Sequence, residues 1–537
     1  MIKNNQLQTG FIFIFLLFIV SWLYNYPGIL FYPPYSTHAW RQSDCLSFAL
    51  NFYKENLNFW EPEINGLGGT GSGKTVSEFP IIYYAVAQLW KIFGQHEFIF
   101  RLINIAIVFF GLFNLYRLAK SVLKNNFFSI FIPLFLFTSP VLVYYSNNFL
   151  ADAPAFGLAL SGCYYLYRYI SLSDNKAIWY SLILFLLGGL IKISSLLIFF
   201  SLTGALIIEM LLSYRSIDKV KLKALLIGFF GILISIGGWY TYARHYNNIN
   251  NSGFFLQSVF PIWETTKEER KYIFDCLYFS LVPSFFNRVA FGTILMLFIS
   301  ILVFYRKVNR FLLFVSIFCF IGVVTYFFLF FKAFDVHDYY LTNLLIFIPL
   351  IVLTFCEFLN RNYPRIFHNT RFKIGLSLIL VFLTYQTALK NRLKYDSRKY
   401  FGSNLIIKKS DRESAEYYHW SYENNFKAFE TVRPYLRSMG ILRTDKVICL
   451  SDESINISLY LMDQKGYTKY GFGGFSDNKR VEFAKGIGCK YLIITNDQLS
   501  ITKDIESFLT HKVGQYQNIN IYSLENNLRD TVSNLVH

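Results

Sequence analysis

Eleven apolar runs, each long enough to cross a lipid bilayer, constrain this chain more than any other sequence feature. A spanning helix needs about 20 mostly apolar residues, because lipid offers its backbone no other hydrogen-bond partners. The 537 residues are 54% hydrophobic and only 16% charged, whereas soluble domains are roughly 25% charged. A polytopic membrane protein is therefore expected. We place the spans at residues 10–31, 98–118, 127–145, 149–167, 177–191, 194–213, 223–242, 286–305, 311–331, 341–359 and 373–389.

Basic residues lie in alternate connections between these runs, which fixes the expected orientation by the positive-inside rule. The basic set comprises Arg117, Lys120, Lys124, Arg168, Lys176, Arg215, Lys219, Lys221, Lys223, Arg306, Lys307, Arg310, Arg361, Arg365, Arg371 and Lys373. These connections are predicted to be cytoplasmic, as is the N-terminus, whose first run we interpret as a retained anchor. An odd number of spans then puts the loop 32–97 and the C-terminal segment outside. The net charge of +17 is mostly topogenic, so nucleic acid is not an expected partner.

Two domains are expected, a helical membrane domain over residues 1–390 and a smaller α/β domain over residues 391–537. In the second part short apolar runs alternate with helical patterns, which is typical of βαβ units. The runs are Val447–Leu450, Ile455–Met462, Tyr467–Phe472, Arg480–Ile487, Tyr491–Thr495 and Ile519–Ser523. Cys449 and Cys489 are either a disulfide or two buried thiols, since spacing alone does not supply the geometry.

The string Gly68–Thr75 matches the P-loop pattern G-x-x-x-x-G-K-[ST] letter for letter. A P-loop needs a buried strand before it and a helix that opens on its lysine. Neither context is present here, because Trp60–Asn65 is no apolar strand and Pro80 follows closely. We therefore expect no nucleotide. The open alternatives are a flexible glycine loop and a mobile flap whose Lys74 meets the phosphate of another substrate.

Polar residues converge in the first outside loop, 32–97. Thr37 is predicted to cap a helix from His38 to about Asn56, with Trp40, Phe48 and Phe52 on its apolar side in the membrane interface. Arg41 and Asp44 are i, i+3 neighbours on this helix, and a surface ion pair is the plain interpretation. Further charged residues follow nearby in the chain, namely Glu78, Glu97 and Arg101. They favour a pocket at the membrane surface.

Two strings in this loop resemble a known family. "HAWRQSDCLSFALNFYKENLNFWEPEI" and "SEFPIIYYAVAQLWKIFGQHEFIFRLIN" are similar to the opening of family 39 glycosyltransferases. These polytopic C-type enzymes include protein O-mannosyltransferases and the aminoarabinose transferases of lipid A. The resemblance covers roughly the first hundred residues in motif detail and the membrane region in organisation, and it does not extend to the C-terminal domain.

The resemblance implies roles for four charged residues. Asp44 matches the family's first-loop aspartate, regarded as the catalytic carboxylate, and Glu78 matches the acid of its E-x-P stretch. Asp152 matches a second acidic position of the active site, and Lys192 sits like a lysine near the donor phosphate. Two of them have a plainer alternative on the residues alone: Asp152 can cap a helix, and Lys192 can snorkel to the outer interface.

The stretch His337–Tyr340 looks like the family's H-x-Y-Y stretch. We expect His38, His337, Tyr339 and Tyr340 to bind substrate. His337 can instead bond at a helix end, and the two tyrosines can instead belong to the interfacial aromatic belt.

Sugar transfer from a polyprenyl phosphate needs few catalytic groups, because the phosphate already leaves well. One base and one phosphate clamp suffice, unlike the paired carboxylates of glycosidases. Asp44 would accept the acceptor's proton, with inversion at the anomeric carbon. Arg41 and Lys192, with Lys74 as a further candidate, would hold the phosphate. Glu78 and Asp152 would hold Mg²⁺ or Mn²⁺, or would orient the basic residues.

The resemblance, together with the predicted topology, thus implies an inverting glycosyltransferase of the bacterial inner membrane. It would move a sugar from a polyprenyl-phosphate donor to an envelope lipid, glycan or protein on the outer face. One rival is an envelope glycan ligase or polymerase, which a tight cluster of outer arginines would favour. The other is a non-enzymatic lipid or solute transporter, which would carry acids mid-span in paired repeats.

Overall fold

Apolar helices make up most of the chain, which we describe from a computed structural model. The described residues are 2–68, 70–214, 219–256, 259–396, 406–495 and 504–525; Arg215 of the basic set and Gly69 of the glycine loop lie outside them. The helices before residue 250 are α1 Ile2–Leu23, α2 Tyr26–Ile29, α3 Ala39–Lys54, α4 Ile81–Phe93, α5 Glu97–Leu123, α6 Asn126–Leu136, α7 Pro140–Ser146, α8 Asp152–Ser171, α9 Ala177–Ile191, α10 Leu197–Leu211 and α11 Lys219–Ile249.

The later helices complete the membrane region and enter the C-terminal domain. They are α12 Lys267–Cys276, α13 Val282–Phe285, α14 Arg288–Val303, α15 Arg310–Leu329, α16 Phe347–Asn362, α17 Pro364–Phe367, α18 Thr370–Tyr395, α19 Lys409–Asn425, α20 Arg433–Ser438, α21 Ile457–Leu461 and α22 Asp477–Gly486. Short 3₁₀ segments at Ile193–Leu196 and Asp338–Ile346 lead into α10 and α16.

The described helices identify a multi-pass membrane protein. Six of them are long and apolar enough to cross a membrane, and two bent pairs pass the same test when each counts as one span. The pair α6 and α7 bends by 78°, because Ser139 caps α7 and Pro140 stands at its first position. The predicted single span 127–145 is thus broken. The predicted break between residues 191 and 194 is confirmed, since Lys192 is extended between α9 and the next helical turn. The number eleven stays a prediction.

Close packing of α5 against α8 sets the position of the first turn of α8. A Cβ on Gly111 of α5 would lie 2.5 Å from the Cα of Gly157 of α8, so only glycine allows this approach. The buried Asn104 side chain of α5 donates to the Asn148 carbonyl at 2.8 Å. These contacts hold the turn that leads into Asp152, the first residue of α8.

The C-terminal domain carries a five-stranded mixed sheet. The strands are β1 Val447–Cys449, β2 Gly466–Thr468, β3 Tyr491–Thr495, β4 Lys512–Tyr516 and β5 Ile519–Ser523, in the order β2-β1-β3-β5-β4. β1 pairs in parallel with β2 and β3, and β5 is antiparallel to β3 and β4. Since α21 and α22 connect β1, β2 and β3, the predicted βαβ pattern is confirmed. The sequence did not predict β4.

Both cysteines of the C-terminal domain are buried free thiols. Cys449 packs with Val447 and Ile493 on one face of the sheet, whereas Cys489 packs with Ile448 and Leu492 in a separate cluster. Alternate residues of a strand point to opposite faces. The structure therefore favours the thiol alternative.

Residues 63–67, in the connection between α3 and α4, pair with the C-terminal domain, and we call this contact the domain interface. Leu67 N–H donates to the Gly466 carbonyl at 2.9 Å, and Gly466 N–H donates to the Asn65 carbonyl at 3.1 Å. Lys465 Nζ lies 3.1 Å from Glu63 Oε2. The loop and the C-terminal domain therefore lie on the same side of the membrane helices, as the predicted topology requires.

Candidate active site

Helix α3 carries two charged residues of the site, and its start differs from the prediction. The helix begins at Ala39 after His38, whose φ of 57° is left-handed, and it ends at Lys54. Thr37 is not the cap. Its carbonyl instead accepts hydrogen bonds from the Gln42 amide at 2.9 Å and the Tyr144 hydroxyl at 2.7 Å. The buried amide and hydroxyl thus fix the turn that a threonine cap was expected to fix.

Burial of α3 also exceeds the prediction. Its residues from Gln42 to Phe52 are all buried, while Trp40 is half exposed. Helix α4 packs on one side of α3 and α21 of the C-terminal domain packs on another. The helix therefore lies inside the protein and not in the membrane interface with one apolar face.

Arg41 joins two carboxylates. Its Nη2 donates to both oxygens of Glu78, at 2.5 and 2.6 Å, and its Nη1 lies 3.7 Å from Asp44 Oδ2. Glu78 also accepts a hydrogen bond from the Tyr83 hydroxyl at 2.9 Å. Burial alone would raise the pKa of Glu78, but Arg41 and Lys192 outweigh it and hold that pKa well below its usual range. The predicted surface ion pair of Arg41 and Asp44 is thus part of a buried network.

Lys192 brings the second acidic residue into the same cluster. Its Nζ lies 3.1 Å from Asp152 Oδ1 and 3.8 Å from Glu78 Oε1. The side chain of Asp152 makes no capping bond, since Ala151 is the N-cap of α8. The rings of Tyr339 and Tyr340 face Lys192 with centroids at 5.6 and 5.1 Å. Lys192 therefore faces acidic and aromatic partners, and we call Arg41, Asp44, Glu78, Asp152 and Lys192 the charged cluster.

A second polar group surrounds Asp338, which the sequence analysis did not select as a site residue. His38 Nε2 lies 3.3 Å from Asp338 Oδ1, the Tyr145 hydroxyl donates to the same oxygen, and Lys394 Nζ lies 3.9 Å from the other. His337 is more exposed; it stacks on His38 at 5.9 Å and pairs with Asp335 at 3.4 Å. The available signal for Asp338 was an acid at the edge of an apolar run.

The C-terminal domain contributes a residue that sequence reasoning missed. The buried side chain of Asn456 donates from Nδ2 to Asp44 Oδ1 at 2.8 Å. Burial raises the pKa of Asp44 to about 7, although Arg41 and this hydrogen bond act in the opposite direction. No local pattern could pair two residues so far apart in the chain.

The glycine loop does not have P-loop geometry. Ile64 N–H donates to the Gly73 carbonyl at 2.9 Å, and an isolated antiparallel bridge joins Glu63 to Lys74. In the described residues around the motif, no helix opens on Lys74, and the next one begins at Ile81. The structure shows no ion pair of Lys74 with the charged cluster among the described residues, so its phosphate contact stays a prediction.

The acids Glu78 and Asp152 are better placed to hold basic side chains than to hold a divalent ion. Both oxygens of Glu78 accept from Arg41, and Lys192 neutralises Asp152. Within the described part of the chain, no group of three or more His, Cys, Asp and Glu side chains is arranged to hold a metal. The geometry thus favours the alternative in which the two acids orient the basic residues.

Comparisons with known proteins agree with this architecture. Residues 77–239 match the family model described as dolichyl-phosphate-mannose-protein mannosyltransferase, a range that contains Glu78, Asp152 and Lys192. A search of curated proteins found no match. Among solved structures, ArnT from Cupriavidus metallidurans bound to undecaprenyl phosphate is similar, with a TM-score of 0.59 and 10% identity over 95% of this chain and 97% of ArnT.

The apo structure of the same ArnT has the same TM-score of 0.59 and 10% identity over 97% of this chain and 98% of ArnT. The structural likeness therefore includes the C-terminal domain as well as the membrane helices, so the expectation that the resemblance stops before the C-terminal domain was wrong. Together with the match of residues 77–239 to the mannosyltransferase model, it confirms the resemblance seen in the sequence: the chain is a multi-pass membrane protein with an ArnT-like fold.

Proposed function

We propose that this protein moves a sugar from a polyprenyl-phosphate donor to an envelope acceptor, on the outer face of the bacterial cytoplasmic membrane. One observation carries the proposal. A buried carboxylate, Asp44, lies beside Arg41, and Arg41 and Lys192 both pair with Glu78 in the same charged cluster. This is the base and the phosphate clamp that such a transfer requires. The ArnT relative bound to undecaprenyl phosphate supports a donor of this lipid class.

Asp44 is the proposed general base. The hydroxyl of the acceptor attacks the anomeric carbon and gives its proton to Asp44, while the bond from that carbon to the phosphate oxygen breaks. In-line attack inverts the configuration. Asp44 Oδ1 is bonded to Asn456, which leaves Oδ2 as the oxygen that takes the proton.

Arg41 and Lys192 stabilise the charge that gathers on the departing polyprenyl phosphate. Glu78 and Asp152 keep these cations in place, since they hold them at 2.5 and 3.1 Å. The rings of His38, Tyr339 and Tyr340 lie beside this cluster, where they would bind the sugar. The cluster keeps a fixed charge environment before the substrate arrives, which lowers the cost of reorganisation.

An apolar cavity offers a place for the prenyl tail. Its volume is about 310 Å³, and α5, α8, α10, α15 and α16 line it with residues such as Leu115, Leu160, Ile198 and Val315. Leu160 lies eight residues after Asp152 on α8, about 12 Å along the helix. A long prenyl chain whose phosphate sits at Lys192 could reach it. We propose that the prenyl tail occupies this cavity.

The test compares cells that carry Asp44→Asn with wild-type cells by mass spectrometry of lipid-linked sugars and envelope glycans. We expect one polyprenyl-phosphate sugar to accumulate and one glycan, lipid or protein to lose a residue. The substitution keeps the size of the side chain and removes its basicity, so transfer should fall about 10²- to 10⁴-fold.

Asp411→Asn is the matched control, because Asp411 lies in the first turn of α19, outside the charged cluster. The control should leave both pools unchanged. If neither pool changes in Asp44→Asn cells that contain the protein, the proposed transfer is wrong and the transporter rival gains. If the pools do change, isolation of the wild-type product shows whether the acceptor is a lipid, a glycan or a protein.

A further inference from the structure

The side chain of Asn456 connects the C-terminal domain to the proposed base. Asn456 precedes α21 and is completely buried. Its Nδ2 donates to Asp44 Oδ1 at 2.8 Å, and its Oδ1 accepts from Gly66 N–H at 2.8 Å. One amide therefore bonds both the carboxylate of α3 and the backbone of the glycine loop.

The orientation of this amide follows from its partners. A backbone N–H can only donate, so the oxygen of Asn456 must face Gly66. The NH₂ group is then the part that faces Asp44, and it can only donate. The hydrogen bond therefore runs in one direction, from the Asn456 amide to Asp44 Oδ1, and it favours the ionised carboxylate as the acceptor.

The turn before α21 holds Asn456 rigidly. The buried carboxylate of Asp452 accepts hydrogen bonds from Ser454 N–H and Ser458 N–H, both at 2.7 Å, and from the Ser458 hydroxyl at 2.6 Å. On the other side, a Cβ at Gly66 would lie 2.9 Å from the Ile455 carbonyl, so the loop backbone packs directly on the turn. Asn456 has little freedom to move away from Asp44.

From these contacts we infer that Asn456 is a positioning residue for Asp44, and that the C-terminal domain completes the active site. The inference rests on the proposed function, because it assigns Asn456 a role in the proposed transfer. Asn456 fixes one carboxylate oxygen, and the other oxygen is turned toward Arg41 and the reacting hydroxyl. Loss of the amide would leave Asp44 Oδ1 buried without a partner and would free the carboxylate to rotate.

The charged groups around Asp44 predict how its pKa responds to the loss of Asn456. Arg41 favours the ionised carboxylate, while Glu78 and Asp452 oppose it, and the Tyr470 hydroxyl is also near. A hydrogen bond to the charged form lowers a pKa. Removal of Asn456 should therefore move the acidic limb of the pH–rate profile upward.

The experiment measures transfer by the full-length protein in lipid vesicles between about pH 5 and 9. The substrates are the lipid-linked sugar that accumulates in Asp44→Asn cells and the unmodified acceptor isolated from the same cells. Asn456→Ala and the smaller change Asn456→Ser are compared with Tyr460→Phe. Tyr460 lies on α21, the helix that follows Asn456, and donates to Glu97 at 2.6 Å, so it tests docking without touching Asp44.

We expect Asn456→Ala to lower kcat about 10- to 100-fold, as for a lost hydrogen bond to a charged group, with the KM of the donor within about twofold. The acidic limb should rise by about one pH unit in both Asn456 variants. Tyr460→Phe should keep the wild-type limb, and melting temperatures identify any variant that fails to fold.

Two failures are distinguishable. If wild-type protein transfers no sugar and Asp44→Asn changes no lipid pool, the proposed function is wrong. If wild-type protein transfers sugar but Asn456→Ser and Tyr460→Phe have the same kcat and the same acidic limb, Asn456 only docks the domain, and the inference is overturned.

Discussion

At the residue scale, Lys192 holds the charged cluster together, because it is the cation between Asp152 and Glu78. Its side chain is 16% exposed, whereas that of Asp152 is 2% exposed. Two carboxylates this close in a buried place require a cation between them. Lys192 is therefore suited to meet a phosphate group that arrives from the exposed side.

Lys192→Met should lower the affinity for polyprenyl phosphate by about tenfold or more, because a charge-assisted hydrogen bond is lost. Native mass spectrometry of the full-length protein with undecaprenyl phosphate measures the dissociation constant. Lys332→Met is the matched control, since Lys332 pairs with Glu269 at 3.0 Å but is 52% exposed. Equal affinity in the two variants would contradict the assigned role of Lys192.

Asp44 should give the transfer reaction a pH dependence. Its pKa is raised to about 7, so the base is ionised above that pH, and the rate should fall as the pH decreases below about 7. An initial-rate profile with saturating donor measures this limb. A rate that is flat from about pH 5 to 8 would contradict the assignment.

The same raised pKa predicts an effect on stability with a definite sign. A carboxyl group whose folded pKa exceeds the unfolded value of about 3.9 stabilises the protonated native state, and this contribution is lost as the pH rises to about 7. Asp44→Asn should therefore unfold at a higher temperature than wild type at about pH 8, and the difference should shrink at about pH 4. Thermal unfolding in detergent tests this, with Glu413→Gln, 60% exposed, as control.

Chelation should leave transfer unchanged. Arg41 and Lys192 already pair with Glu78 and Asp152, so the positive charge for the phosphate comes from side chains. Transfer by vesicles treated with EDTA measures this. Loss of activity that Mg²⁺ or Mn²⁺ restores would instead assign Glu78 and Asp152 to a metal.

Part of the site could be predicted from sequence. The spacing of Arg41 and Asp44 makes them neighbours on a helix, and the positions of Asp152 and Lys192 at the ends of apolar runs place them on one side of the membrane. The contact of Asn456 with Asp44 could not be predicted, because it depends on how two domains dock. An asparagine before a short helix has many ordinary roles.

At the element scale, Gly71 and Gly73 of the glycine loop have left-handed backbones beside the domain interface. Gly73 has a φ of +75°, and a Cβ there would lie 2.5 Å from the Ile64 carbonyl. Gly71 has a similar φ of +70°, but its Cβ would meet only the Tyr467 hydroxyl, at 3.3 Å, and the end of Lys446, at 3.6 Å. A substitution at either position would therefore strain the backbone. Only at Gly73 would the added Cβ also clash with a backbone atom.

Gly73→Ala should destabilise the protein more than Gly71→Ala. Both substitutions cost about 1 kcal/mol for the left-handed backbone, and the Gly73 variant must also move the chain at Ile64. Thermal unfolding of the two variants, with transfer measured in parallel, gives the comparison. If the two melting temperatures coincide, the loop adapts freely, and its packing does not support the interface.

Two features of the fold could not be predicted from the sequence, each for a physical reason. Strand β4, KVGQY, is an exposed edge strand with a register shift against β5, so it lacks the apolar alternation that identifies a strand. The 78° bend between α6 and α7 lies within one apolar run, where hydropathy alone shows no break. By contrast, β1, β3 and β5 are buried and were predicted from their apolar runs.

At the scale of the whole molecule, the membrane helices and the C-terminal domain form one site. Topology counting predicted that the loop 32–97 and the C-terminal segment share a side, and the domain interface agrees with that prediction. Two further contacts cross from this domain to the rest of the chain, Tyr460 to Glu97 and Arg443 to Asn51. If the site needs both domains, disturbing the interface should lower transfer before the protein unfolds.

Reversal of one interface ion pair tests this. Glu63 and Lys465 are 3.1 Å apart and only 15% and 11% exposed, so Glu63→Lys or Lys465→Glu alone brings like charges together. Each single variant should reduce transfer, and the double variant should restore much of it, with a coupling of about 0.5–3 kcal/mol in unfolding free energy. The matched pair is Lys427 and Glu430, also 3.1 Å apart but within the C-terminal domain. Its reversal should leave transfer unchanged; equal effects of the two reversals would mean that the C-terminal domain acts only through overall stability.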